Sequence, residues 1–219
     1  MSIAGVSDAS ADRHPPSGGI YVGPGSSFTA SGLTLSRNQA LGGAGNTGGL
    51  LTADGLGGGL SNDIGATATV SHSTLDHNQA VGAAGEDGSN GTDGLGGGIG
   101  NVLGSTLNLS NCTVDHNQAA GGAGGAGGNG GNGFGGGIYN DGSTTFGVSS
   151  LTVTCSTITH NDADGGAAGA GGSDGQGIGG GLYLASGGIV CLDVFTQAHV
   201  KKNHASTSND NIFGIYTTC

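Results

Sequence analysis

The sequence predicts an all-β fold, a right-handed parallel β-helix (a solenoid) of about five coils, and three features of the chain indicate it. Five segments align, and their opening glycines, Gly18, Gly58, Gly97, Gly136 and Gly180, are 40, 39, 39 and 44 residues apart. Each segment contains a Thr- and Ser-rich stretch in which apolar and polar residues alternate. Four segments continue into a tail with a glycine at every third position. Repetition at such a period is typical of solenoids.

The repeats predict one domain after a short lead-in. Each repeat opens with two glycines and a branched apolar residue, as in Gly18-Gly19-Ile20. We assign residues 1–17 to the lead-in and residues 18–219 to the β-helix domain. The repeats lie near 18–56, 57–95, 96–134, 135–178 and 179–219.

The Thr- and Ser-rich stretches predict strands with one buried face. Each stretch ends on an asparagine, and these are Asn38, Asn78, Asn117, Asn161 and Asn203. Apolar residues stand three positions earlier, at Leu35, Leu75, Val114, Ile158 and Val200, and eight positions earlier, at Ala30, Val70, Leu109, Val153 and Phe195. Alternation with period two indicates strands, and the change of phase between the two sets indicates a corner. We expect the asparagines to form a structural ladder, because Asn tolerates strained turns and can bond to the next coil.

Polar residues between the apolar positions form two columns that we expect to face outward. They are Thr29, Ser31, Thr69, Ser71, Asn108, Ser110, Thr152 and Thr154. Regular hydroxyl groups on a flat β-face make these residues the candidate ligand face, for ice or for a glycan. Thr and Ser are also ordinary surface residues of strands, which is the alternative interpretation.

The Gly-rich tails predict a wall of the solenoid. Glycine recurs at every third residue in the second tail, at Gly82, Gly85, Gly88, Gly91 and Gly94, and the first tail has Gly42, Gly45 and Gly48. A period of three is that of a polyproline-II-type helix, in which glycine lets neighbouring chains approach closely. We therefore expect polyglycine-II-like segments stacked coil upon coil, with flexible loops as the alternative.

The composition excludes some partners. Of 219 residues 53 are glycine and four are Lys or Arg, and the net charge is −11. This acidity argues against nucleic acid and anionic membrane surfaces. Solubility explains the charge, and calcium or a cationic partner is the alternative. We find no stretch of the roughly 20 apolar residues that a membrane helix needs, and no signal peptide is visible at the start, which leaves export open.

Two parts of the sequence resemble known families. The stretch Gly-Gly-Gly-Ile-Tyr-Asn at 135–140, followed by Ser-Thr-Ile-Thr-His-Asn at 156–161, resembles the parallel β-helix repeats of the polymorphic outer-membrane-protein type. Leu, Val or Ile stands where those repeats carry Phe. The tails are similar to the glycine triplets of mycobacterial glycine-rich repeat proteins and of springtail antifreeze proteins. These resemblances imply an extracellular or cell-surface β-helix, often adhesive or structural.

Few residues suggest catalysis or metal binding, and no phosphate-binding loop, nucleophile elbow or zinc-protease motif is present. His77, His116 and His160 form a column that we interpret as a duplicated surface ladder, with metal binding as the alternative. Asp76 and Asp115 would lie on adjacent coils, with Asp162 and Asp164 nearby, as clustered carboxylates do in polysaccharide hydrolases. Repeat duplication explains them without catalysis, so we predict no catalytic, cofactor or metal residues.

Cysteines and the last segment bear on the ends of the solenoid. A bridge is sterically conceivable between Cys112 and Cys155, and another between Cys191 and Cys219 could lock the end, with free thiols as the alternative. The segment 201–219 breaks the repeat pattern. Its apolar residues Ile212, Phe213, Ile215 and Tyr216 would cap the open edge or stack onto another chain.

These observations together predict a non-enzymatic, extracellular structural or adhesive repeat protein that self-assembles end to end. Ice or glycan binding through the Thr and Ser columns is the alternative function. A polysaccharide lyase or hydrolase is the third.

Overall fold

The computed structural model describes residues 1–4, 7–8, 17–43, 51, 53–143 and 145–219 and shows a right-handed parallel β-solenoid. The predicted fold class is confirmed. The solenoid has about four complete turns of five strands each, with incomplete turns at both ends. The count of about five coils was therefore slightly high, because the fifth repeat is irregular and contains a helix.

The strands are short and follow one another around each turn. The incomplete first turn has β1 (Ser2–Ala4) and β2 (Ser7–Asp8). The first two complete turns consist of β3 (Ile20–Val22), β4 (Ser27–Ser31), β5 (Thr34–Ser36), β6 (Gln39–Leu41), β7 (Gly55–Leu56), β8 (Leu60–Asn62), β9 (Thr67–Ser71), β10 (Thr74–Asp76), β11 (Gln79–Val81) and β12 (Gly94–Leu95).

The next two turns repeat the same pattern. They consist of β13 (Ile99–Asn101), β14 (Thr106–Ser110), β15 (Thr113–Asp115), β16 (Gln118–Ala120), β17 (Gly133–Phe134), β18 (Ile138–Asn140), β19 (Ser150–Thr154), β20 (Thr157–Thr159), β21 (Asp162–Asp164) and β22 (Gly177–Ile178). The irregular end has β23 (Leu182–Leu184), β24 (Ile189–Leu192), α1 (Val194–His199), β25 (Val200–Lys201), β26 (His204–Ala205), β27 (Ile212–Phe213) and β28 (Thr217–Thr218).

Equivalent strands of successive turns pair in parallel and form five sheets, which we number in the order a turn visits them. Their strand orders are β3-β8-β13-β18-β23-β27 for sheet I, β4-β9-β14-β19-β24-β28 for sheet II, β1-β5-β10-β15-β20-β25 for sheet III, β2-β6-β11-β16-β21-β26 for sheet IV and β7-β12-β17-β22 for sheet V.

The main core fills the inside of sheets I, II and III. The apolar residues three positions before the asparagines are fully buried in sheet III, and they are Leu35, Leu75, Val114 and Ile158. The residues predicted eight positions before the asparagines line sheet II, and the register pairs Val70 with Leu109 and Leu109 with Val153. Alternating apolar residues therefore form the core as expected, with one exception in the last turn.

Phe195 was wrongly assigned to the apolar column. The register pairs Val153 with Leu192, and Phe195 lies in α1, where its side chain is exposed. The helix begins after Asp193, whose Oδ1 accepts a hydrogen bond from the Thr196 N–H at 2.8 Å and caps the first turn. This insertion moves the chain out of strand register between β24 and β25.

Both corners around sheet III use the left-handed backbone region. The first corner has Gly32, His72, Asn111 and Cys155, with φ between 47° and 65°. The second has Arg37, His77, His116, His160 and Lys202, with φ between 52° and 59°. The expectation that the asparagines themselves adopt this strained geometry was wrong, because the residue before each asparagine adopts it.

The Gly-rich tails form three described arms between sheets IV and V, at residues 82–93, 121–132 and 165–176. Every third backbone N–H of one arm donates to a carbonyl of the next, as from Gly82 to Ala120 and from Gly85 to Ala123, both at 2.8 Å. A side chain would not fit, since a Cβ at Gly122 would lie 1.9 Å from the Ala83 carbonyl oxygen. Gly45 and Gly48 of the first tail lie outside the described residues.

A second, smaller core lies between sheet V and the outer face of sheet I. It contains Leu56, Leu95, Val102 and Leu103, all buried. Close packing explains Gly100 in β13, because a Cβ there would lie 2.5 Å from Leu56 Cδ1. In the next two strands of sheet I, the aromatic rings of Tyr139 and Tyr183 cover the same outer face of the sheet.

Candidate functional site

The outer face of sheet II carries both predicted polar columns in register. The strand pairing places Thr29 beside Thr69, Thr69 beside Asn108 and Asn108 beside Thr152. The second column pairs in the same way and consists of Ser31, Ser71, Ser110 and Thr154. All eight side chains are exposed or half-buried. The predicted face therefore exists as one continuous surface on β4, β9, β14 and β19, and we call it the hydroxyl face.

The hydroxyl face is a regular array of neutral hydrogen-bonding groups. Neighbouring strands lie about 4.8 Å apart, and alternate residues along a strand lie about 6.6 Å apart. A third outward column of Ser27, Thr67, Thr106 and Ser150 lies beside the two predicted ones. Hydroxyl groups both donate and accept, so the array suits an extended polar surface better than a single small molecule.

Strand β24, the fifth of the six strands of sheet II, departs from this pattern. Ile189 and Cys191 replace the hydroxyl residues in β24, and Ile189 is 62% exposed. Cys191 is bonded to Cys219 in a disulfide that closes the end of the sheet. The hydroxyl face is therefore confined to the strands β4, β9, β14 and β19.

The predicted asparagine ladder runs through the core at the end of sheet III. Each asparagine is buried, and its side-chain Nδ2 donates to Oδ1 of the asparagine one turn on, at 2.9–3.0 Å from Asn38 to Asn203. The same Oδ1 also accepts the backbone N–H of the preceding asparagine. The ladder satisfies backbone groups that the corner leaves without strand partners, which is a structural role.

A second asparagine ladder was missed from the sequence. Asn62, Asn101 and Asn140 end the strands of sheet I, are fully buried, and bond side chain to side chain at 2.8 and 2.7 Å. The signal was present, because an asparagine stands two positions after the Leu or Ile of the Gly-Gly-Leu or Gly-Gly-Ile opening in these three repeats. Val22 occupies the position in the first turn, and Asn62 Oδ1 has no hydrogen-bond partner among the described residues.

A glutamine ladder on the outer side of sheet IV was also missed. Gln39 Nε2 donates to Gln79 Oε1 at 3.0 Å, Gln79 donates to Gln118 at 3.1 Å, and Gln118 donates to Asp164 Oδ2 at 2.9 Å. The repeated triplet Asn-Gln-Ala in the first three repeats was its sequence signal. These amides are half-buried and are satisfied by one another, so they stabilise the stack of coils.

The histidine column lies on the outside of the solenoid, beside sheet III. The rings of His77 and His116 are stacked with centroids 4.9 Å apart, and those of His116 and His160 are also 4.9 Å apart. Nδ1 of His77 lies 2.7 Å from Asp76 Oδ1, and Nδ1 of His116 lies 2.6 Å from Asp115 Oδ2. The column and the adjacent carboxylates form one surface cluster, which we call the His–Asp ladder.

The four carboxylates considered for catalysis divide between two sheets. Asp76 and Asp115 are adjacent in sheet III, whereas Asp162 and Asp164 lie in sheet IV. Partial burial would raise the pKa of Asp115, but hydrogen bonds from Thr159, His160 and His116 outweigh it and hold the pKa below its ordinary value. Burial and the Asp164 charge raise the pKa of Asp162.

Two other aspartates, Asp54 and Asp93, were not singled out from the sequence. They precede the strands of sheet V and form a column with Asn132. Burial raises the pKa of Asp54 to about 6, and the Asp93 charge adds to this rise. Each side chain accepts a backbone N–H of the next turn, from Asp93 to Asp54 at 2.9 Å and from Asn132 to Asp93 at 2.6 Å.

The cysteines divide into one bridge and two thiols. Cys191 and Cys219 form a disulfide, with their Cα atoms 5.5 Å apart. The conceivable bridge between Cys112 and Cys155 is not formed: Cys112 points into the core, whereas Cys155 is exposed at a corner. The two residues are one position out of register, since Ser156 and not Cys155 lies beside Cys112.

The predicted cap residues cover one side of the last turn. Ile212 and Tyr216 pack against the main core, and the ring of Phe213 stacks on Tyr183 with centroids 4.7 Å apart. Ile215 does not contribute to the cap, because it is 87% exposed. An apolar cavity of about 540 Å³ lies beside it, between Ile189 and Phe213.

The fold and the repeated columns define this chain as a β-solenoid repeat protein. Comparison with protein-family models, with curated proteins and with solved structures found no match to the chain. In the part of the chain that the structure describes, no helix has the length and apolar character needed to cross a membrane.

Proposed function

We propose that this chain is a non-enzymatic structural or adhesive solenoid of the cell exterior, which binds an extended glycan through its hydroxyl face. The observation that carries the proposal is the register of the outward hydroxyl groups over four strands. A repeating polymer presents hydroxyl groups at regular intervals, and such an array can bond to many of them at once. No single contact needs to be strong.

The interior of the solenoid supports a scaffold role. The asparagine ladders tie each turn to the next, so the outward columns are held in place by a rigid support. The arms add a second stacked layer, and we interpret their bonding at every third residue as polyglycine-II packing.

An extracellular location is supported by the disulfide. Cys191 and Cys219 are bonded, and such bridges persist in oxidising compartments. The resemblance of the repeats to bacterial surface chains points in the same direction.

End-to-end assembly is the second part of the proposal. Among the described strands, β25, β26, β27 and β28 each pair on one side only, so their other edges carry backbone groups that a further strand can bond. The exposed Ile215 and the cavity beside it supply apolar surface at the same end. Electron microscopy tests this part: filaments one solenoid wide support it, and discrete short rods contradict it.

Binding to the hydroxyl face is tested by co-sedimentation with insoluble cellulose and chitin. Asn108→Lys places a long cation in the middle of the face, and Thr113→Lys makes the same kind of change on the outer side of sheet III in the same turn. We expect the first variant to lose binding and the second to keep it. Equal binding by both variants, or none by the unmodified protein, would contradict the glycan proposal.

Ice binding is the second candidate, favoured by the regular register of the same face. Thermal hysteresis in the unmodified protein, abolished in Asn108→Lys, is the result that would replace a glycan with ice as the ligand.

A further inference from the structure

We infer that the His–Asp ladder binds one divalent transition-metal ion per chain, of the zinc class, with His116 as the ligand common to two overlapping sites. The inference is independent of the hydroxyl face, which lies on a different sheet. Two overlapping pairs of rings carry the chemistry: His77 with His116, oriented by Asp76 and Asp115, and His116 with His160, oriented by Asp115. In each group one ring nitrogen of each histidine and one carboxylate oxygen lie within 4.8 Å of one another.

The carboxylates orient the imidazole rings for metal binding. An aspartate carboxylate can only accept, so the Nδ1 atoms of His77 and His116 carry the proton in the 2.7 and 2.6 Å contacts. The lone pair of each neutral ring is then on Nε2. Metal-ligating histidines in proteins are usually held in this way, by a carboxylate on the opposite nitrogen.

The stacked rings must tilt towards each other to share one ion, because their planes are only 4° and 17° apart and their Nε2 lone pairs do not converge in the stack. The centroids are 4.9 Å apart, and zinc binds imidazole nitrogen at about 2.0–2.1 Å. Two Nε2 atoms must therefore approach to within about 4 Å of each other. The three side chains are between 43% and 50% exposed, so the rings can tilt without disturbing the core.

The ligand type selects the metal. Imidazole nitrogens suit zinc, copper and nickel, whereas calcium and magnesium prefer oxygen ligands. Arg37 and Lys202 occupy the equivalent corner positions above and below, so the ladder of ligands is limited to three histidines. Since His116 offers one lone pair, filling one group excludes the other, and we expect a stoichiometry of one ion.

The test is calorimetric titration of the full chain with zinc chloride. Asparagine replaces histidine in each variant, because it tolerates the left-handed backbone at these positions, with φ of 52° to 53°. His77→Asn and His160→Asn each leave one group intact, so we expect affinity to fall by about twofold, the statistical factor for losing one of two equivalent sites. His116→Asn removes a ligand from both groups, and we expect at least about a tenfold loss.

A matched control is available in the same solenoid. His72 is exposed and has a left-handed φ of 47°, but it is outside the ladder, so His72→Asn should bind zinc like the unmodified protein. Equal losses in all three ladder variants, or a loss in the control, would overturn the inference. So would the absence of saturable binding.

A second measurement does not depend on the folding of variants. Zinc added to the unmodified, ¹⁵N-labelled protein should shift the Nε2 resonances of His77, His116 and His160 and leave those of His72, His199 and His204 in place. Shifts of the same size at His72, His199 and His204 would also overturn the inference.

Discussion

Replacing Asn117 by alanine tests how much the buried asparagine ladder stabilises the solenoid. Its Nδ2 donates to Asn161 Oδ1 at 2.9 Å and to the Leu75 carbonyl at 3.0 Å, and its Oδ1 accepts from the backbone and side chain of Asn78, both at 2.9 Å. Alanine removes these four hydrogen bonds. At about 1 kcal/mol net for each bond, we expect a loss of about 4 kcal/mol in the free energy of unfolding.

The assay is thermal and urea denaturation followed by circular dichroism. A loss of about 4 kcal/mol corresponds to a melting temperature lower by about 8–16 °C in a domain of this size. Asn108→Ala is the matched control, since it deletes the same amide from the outer face of sheet II and should change stability by less than about 0.5 kcal/mol. Equal stability of the two variants would refute the argument that the ladder supports the stack.

Two further predictions concern the arms and the end of the solenoid. Gly122→Ala should increase hydrogen exchange in the arms, because its Cβ would lie 1.9 Å from the Ala83 carbonyl oxygen. Gly127→Ala is the control, since its Cβ would meet open space and the variant bears only the strain of a φ of 82°. Equal exchange in the two variants would contradict the close packing of the arms. Cys191→Ser should lower the free energy of unfolding by about 3–4 kcal/mol, since the bridge to Cys219 spans 28 residues. An unchanged midpoint of urea denaturation would show that the bridge does not stabilise the end of the solenoid.

The regular part of the fold was predictable because a parallel stack repeats one environment in every turn. The column of Leu35, Leu75, Val114 and Ile158 shows this, since four equivalent positions each require an apolar residue and each has one. The pairing of equivalent residues one turn apart then follows from the repeat spacing alone. The hydroxyl face was found for the same reason.

The irregular last turn was not predictable from the pattern. Phe195 is apolar and stands at the expected distance before Asn203, so counting back from the asparagine misplaced it. The structure instead assigns the position to Leu192, because α1 adds residues between β24 and β25. A period measured in residues is reliable only while no insertion separates the strand from the reference residue.

The functional clusters depend on side-chain detail that spacing does not contain. The sequence placed His77, His116 and His160 in one column, but it did not show that Asp76 and Asp115 bond to Nδ1 of the rings. That contact is the observation on which the proposed metal site rests. Asp54 was likewise unremarkable in sequence, and only the structure shows the burial and the nearby Asp93 charge that raise its pKa.

The burial of Asp54 predicts that stability falls as pH rises through the weakly acidic range. Its pKa is raised from 3.8 to about 6 in the folded chain, so between these values the folded state holds a proton that the unfolded state has lost. The folded state therefore binds more protons, and the free energy of unfolding decreases with pH in this window. A shift of about two units corresponds to a contribution on the order of 2–3 kcal/mol lost by pH 7.

Asp54→Asn should therefore stabilise the protein at pH 7 and flatten the dependence of stability on pH between about 4 and 6. Asparagine keeps the oxygen that accepts the Asp93 N–H, and Asn132 already makes the equivalent contact two turns away. Urea denaturation across this pH range measures the effect, with the exposed Asp87→Asn as the control. If Asp54→Asn matches that control at every pH, the carboxyl is solvated in the folded chain, and burial does not determine its ionisation.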